Sequence, residues 1–461
     1  MGLIKEVFRD KSFLKRTWAI LLPVTVQTML NMITNMVDTV MIGSLGEIPI
    51  GAVGLANKVF FVVTLMIFGV GSGMGLLAAQ YWGNNDIKNI RRVTGIGLTI
   101  TLIMSVIITV FCMVSPVSVM KIFTDSEALA QEGARYLRIA CLTYPILAIT
   151  VTFNDSLRSM GVVKPAVYVS AIAIVVNVFF NYVLIFGNLG MPALGVEGAA
   201  IATLIARISE LVIGLYIIRR IKAPIYCNPK YLFNFDRALL KQFFVNALPV
   251  CFNELFWGLG ITMYSLVYGR MGENVAAIMT IVGTYTDIEI VGINGLASAT
   301  VIMLGNELGA GELETADRHS KYFLVLSVIT GALLMFITFV VAKPFTTLYS
   351  VSAESVNSII ICLFIFAFTL IPRCVNNIII VGILRSGGDS IVCAMLDLMP
   401  LWFVAVPLVF FTGLVLKLPI TYVYACIHTD EIIKFVLGLI RYSKKKWLKN
   451  LALELTVAQA E

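Results

Sequence analysis

Charged residues are scarce in this 461-residue chain: Asp, Glu, Lys and Arg make up 13% of it, against 59% hydrophobic residues. A soluble domain averages about 25% charged residues, so the composition excludes a protein whose whole surface faces water. Apolar runs of about 20 residues recur along the chain, which is typical of membrane-spanning helices. The alternating ten-residue segments of a membrane β-barrel do not occur.

Motifs of intramembrane enzymes are also missing. The sequence has no His-Glu-x-x-His, no Gly-x-Ser-x-Gly and no Cys-x-x-Cys pair. Most of the eight cysteines lie inside apolar runs, so we interpret them as small packing residues. Of the two histidines, His319 falls in a predicted loop and is interpreted as incidental. His428 lies in an apolar run and is either a proton relay or a hydrogen-bonded packing residue. We therefore expect no enzymatic activity.

One stretch, residues 22–92, occurs twice. A shift of 226 positions places Pro23 on Pro249 and continues without a gap. The triplet Leu-Arg-Ser at 157–159 recurs at 384–386, shifted by 227. Because the period is half the chain, the sequence predicts a fused pair of similar halves.

Twelve membrane spans are predicted, six in each half. They are 17–42, 52–80, 93–115, 133–157, 166–187, 195–218, 241–269, 275–306, 320–341, 356–384, 391–413 and 418–440. Six is an even number, so both halves enter the membrane the same way round, as parallel repeats of secondary transporters do. The predicted fold class is all-α integral membrane, with twelve transmembrane helices in two six-helix lobes related by a parallel repeat.

The domain prediction follows from these spans. It assigns 1–218 to an amino-terminal lobe, 219–240 to a cytoplasmic linker, 241–445 to a carboxy-terminal lobe and 446–461 to a cytoplasmic tail. The tail from Leu451 onward shows no relation to the membrane body, and part of it is interpreted as a non-native addition.

Lysine and arginine in the loops predict the orientation. About 24 of them fall on the side that carries both ends of the chain and the linker, and about 4 on the other side. We therefore predict a multi-pass protein of the cell membrane with both termini in the cytoplasm. The net charge of +7 is explained by this topology, and no nucleic-acid partner is expected.

Ionisable residues inside the spans are the candidates for function. A charge near the bilayer centre costs roughly 2.5–3.5 kcal/mol even on insertion scales, so it normally faces a cavity or a partner. The candidates are Asp38, Arg207, Glu210, Glu254, Asp287, Glu289, Arg373, Asp397, Asp430, Glu431 and Lys434. Acids outnumber bases among them, which favours a cation pathway.

Five residues of the first half fall at a similar depth in the outer half of the membrane. Asp38, on span 1, has no basic residue near it in sequence. Asn177 and Asn181 share a face of span 5, and Ala199 and Thr203 are four apart on span 6. Such an oxygen-rich set suits Na+ or a proton better than a soft metal. The alternative is that the asparagines only cross-link helices, at about 0.6 kcal/mol each.

Several short sequence segments resemble those of one transporter family. Val-Asp-Thr-Val-Met-Ile-Gly at 37–43 is similar to span 1 of the multidrug and toxic compound extrusion (MATE) family. Later segments of that family are similar to residues 157–161, 177–187 and 195–200. The resemblance extends over about residues 15 to 445. It implies two lobes around a central cavity and alternating-access export of organic, often cationic, compounds, driven by Na+ or H+.

The resemblance also implies a cation site in the amino-terminal lobe. Its members would be Asp38, Asn177, Asn181, Thr203 and the backbone carbonyl of Ala199, and the four side chains would ligate Na+ in a sodium-coupled protein. We expect no cofactor beyond the coupling ion. The expected partners are small organic substrates and membrane lipids, and the expected assembly is a monomer.

The second half departs from the family pattern. Some members carry acids on spans 7 and 10, whereas this chain has Glu254 on span 7 but Arg373, Asn376 and Asn377 on span 10, which leaves a second cation site open. Glu254 is expected either to pair with Arg373 or to meet the positive end of a substrate.

Further residues of the second half are sorted by spacing. Asp287 and Glu289 are two apart and point in different directions. The candidate substrate-cavity residues are Glu254, Asp287, Glu289, Arg373, Asn376, Asn377 and Asp397. By contrast, Arg207 with Glu210, and Glu431 with Lys434, are expected to neutralise each other.

Two other functions remain open. A flippase for lipids or lipid-linked precursors, from the related superfamily, would be favoured by a large, basic-lined lateral cavity. A non-transporting receptor or scaffold would make the buried acids expendable. The sequence leaves open the coupling ion and the compound carried.

Overall fold

The computed structural model describes residues 2–226, 229–234, 236–349 and 351–453. These residues are almost wholly helical and contain no β-strand. The α-helices are α1 Gly2–Arg9, α2 Lys11–Gly43, α3 Glu47–Gly83, α4 Ile87–Val114, α5 Pro116–Lys121, α6 Glu127–Ala140, α7 Thr143–Ser159, α8 Lys164–Phe186, α9 Gly195–Arg220, α10 Pro229–Leu232, α11 Arg237–Met271, α12 Glu273–Gly309, α13 Leu313–Thr346, α14 Ala353–Asn376, α15 Ser390–Pro400, α16 Val406–Phe410, α17 Ile420–Ile427 and α18 Thr429–Ser443. A 3-10 turn spans Asn188–Gly190, and π-helical segments span Asn377–Leu384, Leu401–Ala405 and Phe411–Val415.

Ten helical stretches of the described chain are long and apolar enough to cross a membrane. They are α2, α3, α4, α8, α9, α11, α12, α13, Ala353–Leu384 and Ser390–Val415. An eleventh is the pair α6 and α7, which bends by 47° at its break. The region of the twelfth predicted span, 418–440, is covered by the shorter helices α17 and α18, which meet at His428. The chain is thus a multi-pass, all-α membrane protein.

Two of the spanning helices contain a proline at positions that the repeat makes equivalent. Pro23 lies inside α2 and Pro249 inside α11. Proline lacks a backbone N–H, so each of these helices loses one internal hydrogen bond at this point. The chain divides into two compact units beside these prolines, between Leu22 and Pro23 and between Cys251 and Phe252.

The amino-terminal unit comprises residues 23–82 and 86–251. Helix α8 packs along α9, and α4 packs along α7. The first part of α11 lies close against α3, because a Cβ atom on Gly73 would come within 2.4 Å of the Ala247 Cα, and one on Gly69 within 2.6 Å of the Cys251 Cα. Glycines four residues apart let two helix backbones approach this closely.

The carboxy-terminal unit comprises residues up to Leu22, 83–85 and those from Phe252 onward. Phe13 anchors the amino-terminal segment in this unit, with its side chain 1% exposed. Its ring centroid lies 4.8, 5.3 and 4.9 Å from those of His319, Tyr322 and Phe323. The interpretation of His319 as an incidental loop residue is therefore wrong. It is a buried residue of α13, and its Nδ1 lies 2.7 Å from the Glu307 Oε1.

The tail after α18 also packs on the carboxy-terminal unit. Trp447 is fully buried, and Leu451 and Ala452 are buried too. The Asn450 side-chain amide donates a hydrogen bond of 3.0 Å to the Gly309 carbonyl. The expectation that the chain from Leu451 has no relation to the membrane body is wrong as far as residue 453, and 454–461 lie outside the described residues.

The observed units differ from the predicted division at the linker 219–240. The first 22 residues group with the second half of the chain, and the first part of α11 groups with the first half. The boundary between the units thus falls directly before Pro23 in α2 and shortly after Pro249, behind Cys251, in α11.

Candidate functional site

The amino-terminal unit brings three of the five predicted cation-site residues into one hydrogen-bonded chain. The Asn181 amide nitrogen donates to the Asp38 carboxylate and, over 3.1 Å, to the Asn177 Oδ1. Asn177 and Asn181 are one turn apart on α8, and both are buried, at 1% and 0% exposure. The spacing of four residues places both amides on the face of α8 that meets α2.

The other two predicted residues lie on α9 and bond to each other. The Thr203 hydroxyl donates to the Ala199 carbonyl over 3.0 Å. Ala199 is buried, and α9 packs along α8. The contacts of the described residues do not join this pair to the hydrogen-bonded residues Asp38, Asn181 and Asn177.

The Asp38 carboxylate has no basic partner within 4.0 Å among the residues that the structure describes. Arg207 of α9 interacts with Asp38 only at longer range, because its guanidinium is bound to Glu210 over 2.7 Å. The expected pairing of Arg207 with Glu210 is confirmed. Tyr136 of α6 also lies near enough to interact with the carboxylate, and sequence reasoning missed it because a single aromatic residue carries no spacing signal.

This arrangement fits a monovalent cation or a proton. The Asn181 Oδ1 is buried and has no hydrogen-bond partner among the described residues, which is costly for an amide oxygen unless a ligand satisfies it. Rotation of the Asn181 amide by half a turn would direct this oxygen to the carboxylate in place of the nitrogen. Asp38, Asn177 and Asn181 would then present only oxygen atoms, the ligands that hard cations prefer.

In the carboxy-terminal unit, Glu254 pairs with a residue that was not predicted. Its Oε1 lies 3.5 Å from both terminal nitrogens of Arg385, which is 2% exposed. The expected pair of Glu254 with Arg373 is wrong. Arg385 belongs to the repeated Leu-Arg-Ser triplet, whose first copy has Arg158 donating to the Gln27 Oε1 over 3.1 Å. The repeat thus marked an arginine in each half, but its partners Gln27 and Glu254 are not at equivalent positions, so the contact itself could not be predicted from the repeat.

Arg373 and Asn376 of α14 both bind Glu431 of α18. The Arg373 Nε lies 3.2 Å from the Glu431 Oε1. The Asn376 amide nitrogen lies 2.8 Å from the Glu431 Oε2 and 2.7 Å from its backbone oxygen. Asn377, the next residue, is half-buried, and its Oδ1 has no partner among the described residues.

Lys434 bridges two carboxylates. Its Nζ lies 2.7 Å from the Asp397 Oδ1 and 2.9 Å from the Asp430 Oδ2. The second Asp397 oxygen accepts a hydrogen bond of 3.1 Å from the Asn253 amide. The expected pair of Glu431 with Lys434 is wrong, because each takes a partner on another helix and Lys434 also takes Asp430, four residues before it.

These ion pairs bring four carboxylates together with three basic groups. They are Glu254, Asp397, Asp430 and Glu431 with Arg373, Arg385 and Lys434. With every group ionised, the carboxylates exceed the bases by one charge. Acid excess in a membrane-embedded cluster favours a positively charged ligand.

Asp287 and Glu289 of α12 lie on different sides of their helix. Asp287 is exposed, whereas Glu289 is buried at 6% exposure and binds two hydroxyl groups. The expectation that they point in different directions is confirmed.

A family comparison gives an independent result. The model of the MatE family matches residues 23–183 and 249–411. The chain is 22% identical over 451 residues to an uncharacterized transporter, YisQ, of Bacillus subtilis (strain 168), with 97% of each chain covered. It is 23% identical over 438 residues to the probable multidrug resistance protein NorM of Thermotoga maritima, which covers 94% of this chain and 92% of that one.

Solved structures show the same fold. The Vibrio cholerae MATE transporter VcmN in its bent form superposes with a TM-score of 0.85 at 17% identity, covering 95% of this chain and 97% of that one. The family model matches each half of the chain at corresponding positions, in agreement with the internal repeat. From the two-lobed helical fold and these matches, the chain belongs to the MatE family of transporters.

Proposed function

We propose that this protein is a secondary active exporter that couples inward movement of Na+ or H+ to efflux of organic, often cationic, compounds by alternating access. The observation that carries the proposal is the hydrogen-bonded set of Asp38 with the buried Asn181 and Asn177, a carboxylate held by amides rather than by a base. The NorM relative described above is a probable multidrug resistance protein, which supports multidrug compounds as the cargo.

The coupling ion acts through the Asn181 amide. In the arrangement described, the amide nitrogen faces Asp38, and an N–H group there repels a cation. Binding of Na+ requires the amide to turn and present its oxygen, and a protonated Asp38 can donate to that same oxygen. The ion therefore selects one of two orientations of the Asn181 amide, and it shifts the transport equilibrium only by its difference in affinity between the two transport states.

The charged residues of the carboxy-terminal unit indicate the charge of the substrate. One excess carboxylate among Glu254, Asp397, Asp430 and Glu431 supports a positively charged substrate over an anionic lipid precursor. The number of lysines and arginines in the loops supports a cell-membrane location with both termini in the cytoplasm. A monomer remains the proposed assembly.

The test is efflux of a fluorescent cationic dye from vesicles that contain the purified chain, under an imposed Na+ or H+ gradient. Asp38→Asn keeps the side-chain shape and removes the charge, and we expect it to abolish gradient-driven efflux. The matched control is Asp125→Asn, an exposed position of the same unit, which should transport at the wild-type rate. Gradient-driven efflux that persists in Asp38→Asn would refute the proposed coupling site.

A further inference from the structure

Glu289 is a deeply buried acid that the proposed coupling mechanism does not use. It lies near the middle of α12, a helix of 37 residues, and its exposure is 6%. It belongs to the carboxy-terminal unit, whereas Asp38 belongs to the other unit. An ionisable group at such a position in a membrane helix is costly unless it has a ligand or a partner.

Two hydroxyl groups contact one oxygen of Glu289. The Tyr285 hydroxyl lies 2.9 Å from the Oε1, and the Thr338 hydroxyl of α13 lies 2.6 Å from the same atom. The other oxygen, Oε2, is buried and has no hydrogen-bond partner in the part of the chain that the structure describes. Tyr285 is one turn before Glu289 and is held in place by the ring of Phe345, at 5.1 Å between centroids.

Among the described residues, no basic side chain is paired with Glu289, and the nearby Arg373, which interacts with Cys374 and Tyr424, is itself paired with Glu431. Within the described part of the chain, no lysine, arginine or histidine nitrogen lies within 4.0 Å of this carboxyl group. Cys374 and Tyr424 face it from neighbouring helices, and both are neutral side chains at pH 7. Glu289 therefore differs from Glu254, Asp397, Asp430 and Glu431 of its unit, which are paired with Arg385, Lys434 or Arg373.

The hydrogen bonds of Thr338 indicate how a proton on Glu289 is held. Its hydroxyl oxygen lies 2.6 Å from the Glu289 Oε1 and 2.9 Å from the Leu334 carbonyl oxygen. A hydroxyl has one proton and can donate to only one of these two acceptors. When Thr338 donates to the Leu334 carbonyl, the short contact to Glu289 is a hydrogen bond only if the Glu289 Oε1 carries a proton.

We propose that Glu289, with Thr338 and Tyr285, is a proton-binding site in the carboxy-terminal unit. In the protonated state, the Glu289 O–H donates to Thr338, Thr338 donates to the Leu334 carbonyl, and Tyr285 donates to Glu289. When the proton leaves, the Thr338 hydroxyl rotates and donates to the ionised Oε1 together with Tyr285. Each turn of the cycle binds and releases one proton, and no other bond forms or breaks.

The site deepens the proposed function, since transport would give this proton a route, but its existence does not depend on that function. Infrared spectroscopy of the purified chain in lipid nanodiscs tests it without any transport step. At neutral pH, in a buffer without Na+, we expect the wild type to show the carbonyl stretching band of a buried carboxylic acid. Glu289→Gln should lose this band.

A second pair of variants keeps the test decisive if Glu289→Gln folds poorly. Thr338→Val removes the hydroxyl at nearly constant volume and should shift the band to higher frequency, because the acid loses its acceptor. Thr338→Ser keeps the hydroxyl and should leave the band in place. Identical spectra for the wild type, Glu289→Gln and Thr338→Val would overturn the proposal.

Spectra recorded with and without Na+ in the buffer show whether this site binds Na+ or H+. A carboxylic acid band that is absent with Na+ and appears only when Na+ is removed would assign the site to sodium and would also overturn the proposal. Efflux that persists in Asp38→Asn while the wild type shows the Glu289 band would refute only the proposed coupling site. Loss of efflux in Asp38→Asn with no Glu289 band in the wild type would refute only the proton site proposed here.

Discussion

Removal of the Lys434 charge tests the buried ion pairs of the carboxy-terminal unit. Lys434→Met keeps an unbranched apolar side chain of similar length and deletes the ammonium group. The wild-type Nζ lies within 2.9 Å of both Asp397 and Asp430, and its side chain is 5% exposed. The variant leaves two carboxylates close together without a base.

The size of the effect follows from this burial. Breaking a buried ion pair by removal of one partner costs about 3–5 kcal/mol, because a charge is left without compensation. We expect Lys434→Met to lower the free energy of unfolding by about this amount. In the double variant with Asp430→Asn, one of the two carboxylates becomes neutral, so we expect at least half of the loss to be recovered.

The assay is thermal and denaturant unfolding in detergent, followed by the reaction of buried thiols with a fluorogenic dye. Cys374 and Cys393 are buried in the same unit and report its opening. The matched control is Lys321→Met, because Lys321 lies 2.9 Å from Asp317 but is 46% exposed. Exposed ion pairs contribute about 0–1 kcal/mol, so this control should unfold nearly as the wild type does. Equal stability of the two lysine variants would refute the burial argument and the charge excess built on it.

Two further predictions concern packing within each unit. Gly73→Ala places a Cβ atom within 2.4 Å of the Ala247 Cα, so we expect lower stability and a poor yield of folded protein on size-exclusion chromatography. The control is Gly54→Ala on the same helix, whose Cβ atom meets no described atom within 4 Å and which should be neutral. Phe13→Ala removes a ring that is 1% exposed, so we expect the free energy of unfolding to fall by about 3–5 kcal/mol in thermal unfolding. The control is Phe8→Ala, at a ring that is 55% exposed, and it should leave the unfolding temperature unchanged.

The spans and the repeat could be predicted from the sequence because both depend on local composition. A run of apolar residues must form a helix in lipid, where every backbone polar group needs an internal partner. The spacing of Asn177 and Asn181 likewise fixed their common face, and their depth matched that of Asp38. The structure joins these three residues, and their role in coupling stays a prediction.

The partners of the charged residues were decided by tertiary packing. Lys434 can reach an acid three or four residues away on its own helix, and spacing alone does not say which one. The structure pairs it with Asp430 and with Asp397 of another helix, while Glu431 turns to Arg373. The rotation of each helix about its axis selects the pair, and this rotation depends on the packing of the whole unit.

The limits of the two units were decided in the same way. The sequence by itself determined the apolar spans and the repeat of two similar halves, because composition and repeat spacing are properties of the chain. Only the tertiary structure shows that residues before Pro23 group with the second half and that the first part of α11 groups with the first half. A helix that passes from one unit to the other has the same local sequence pattern as one that does not, so its membership depends on which side chains surround it.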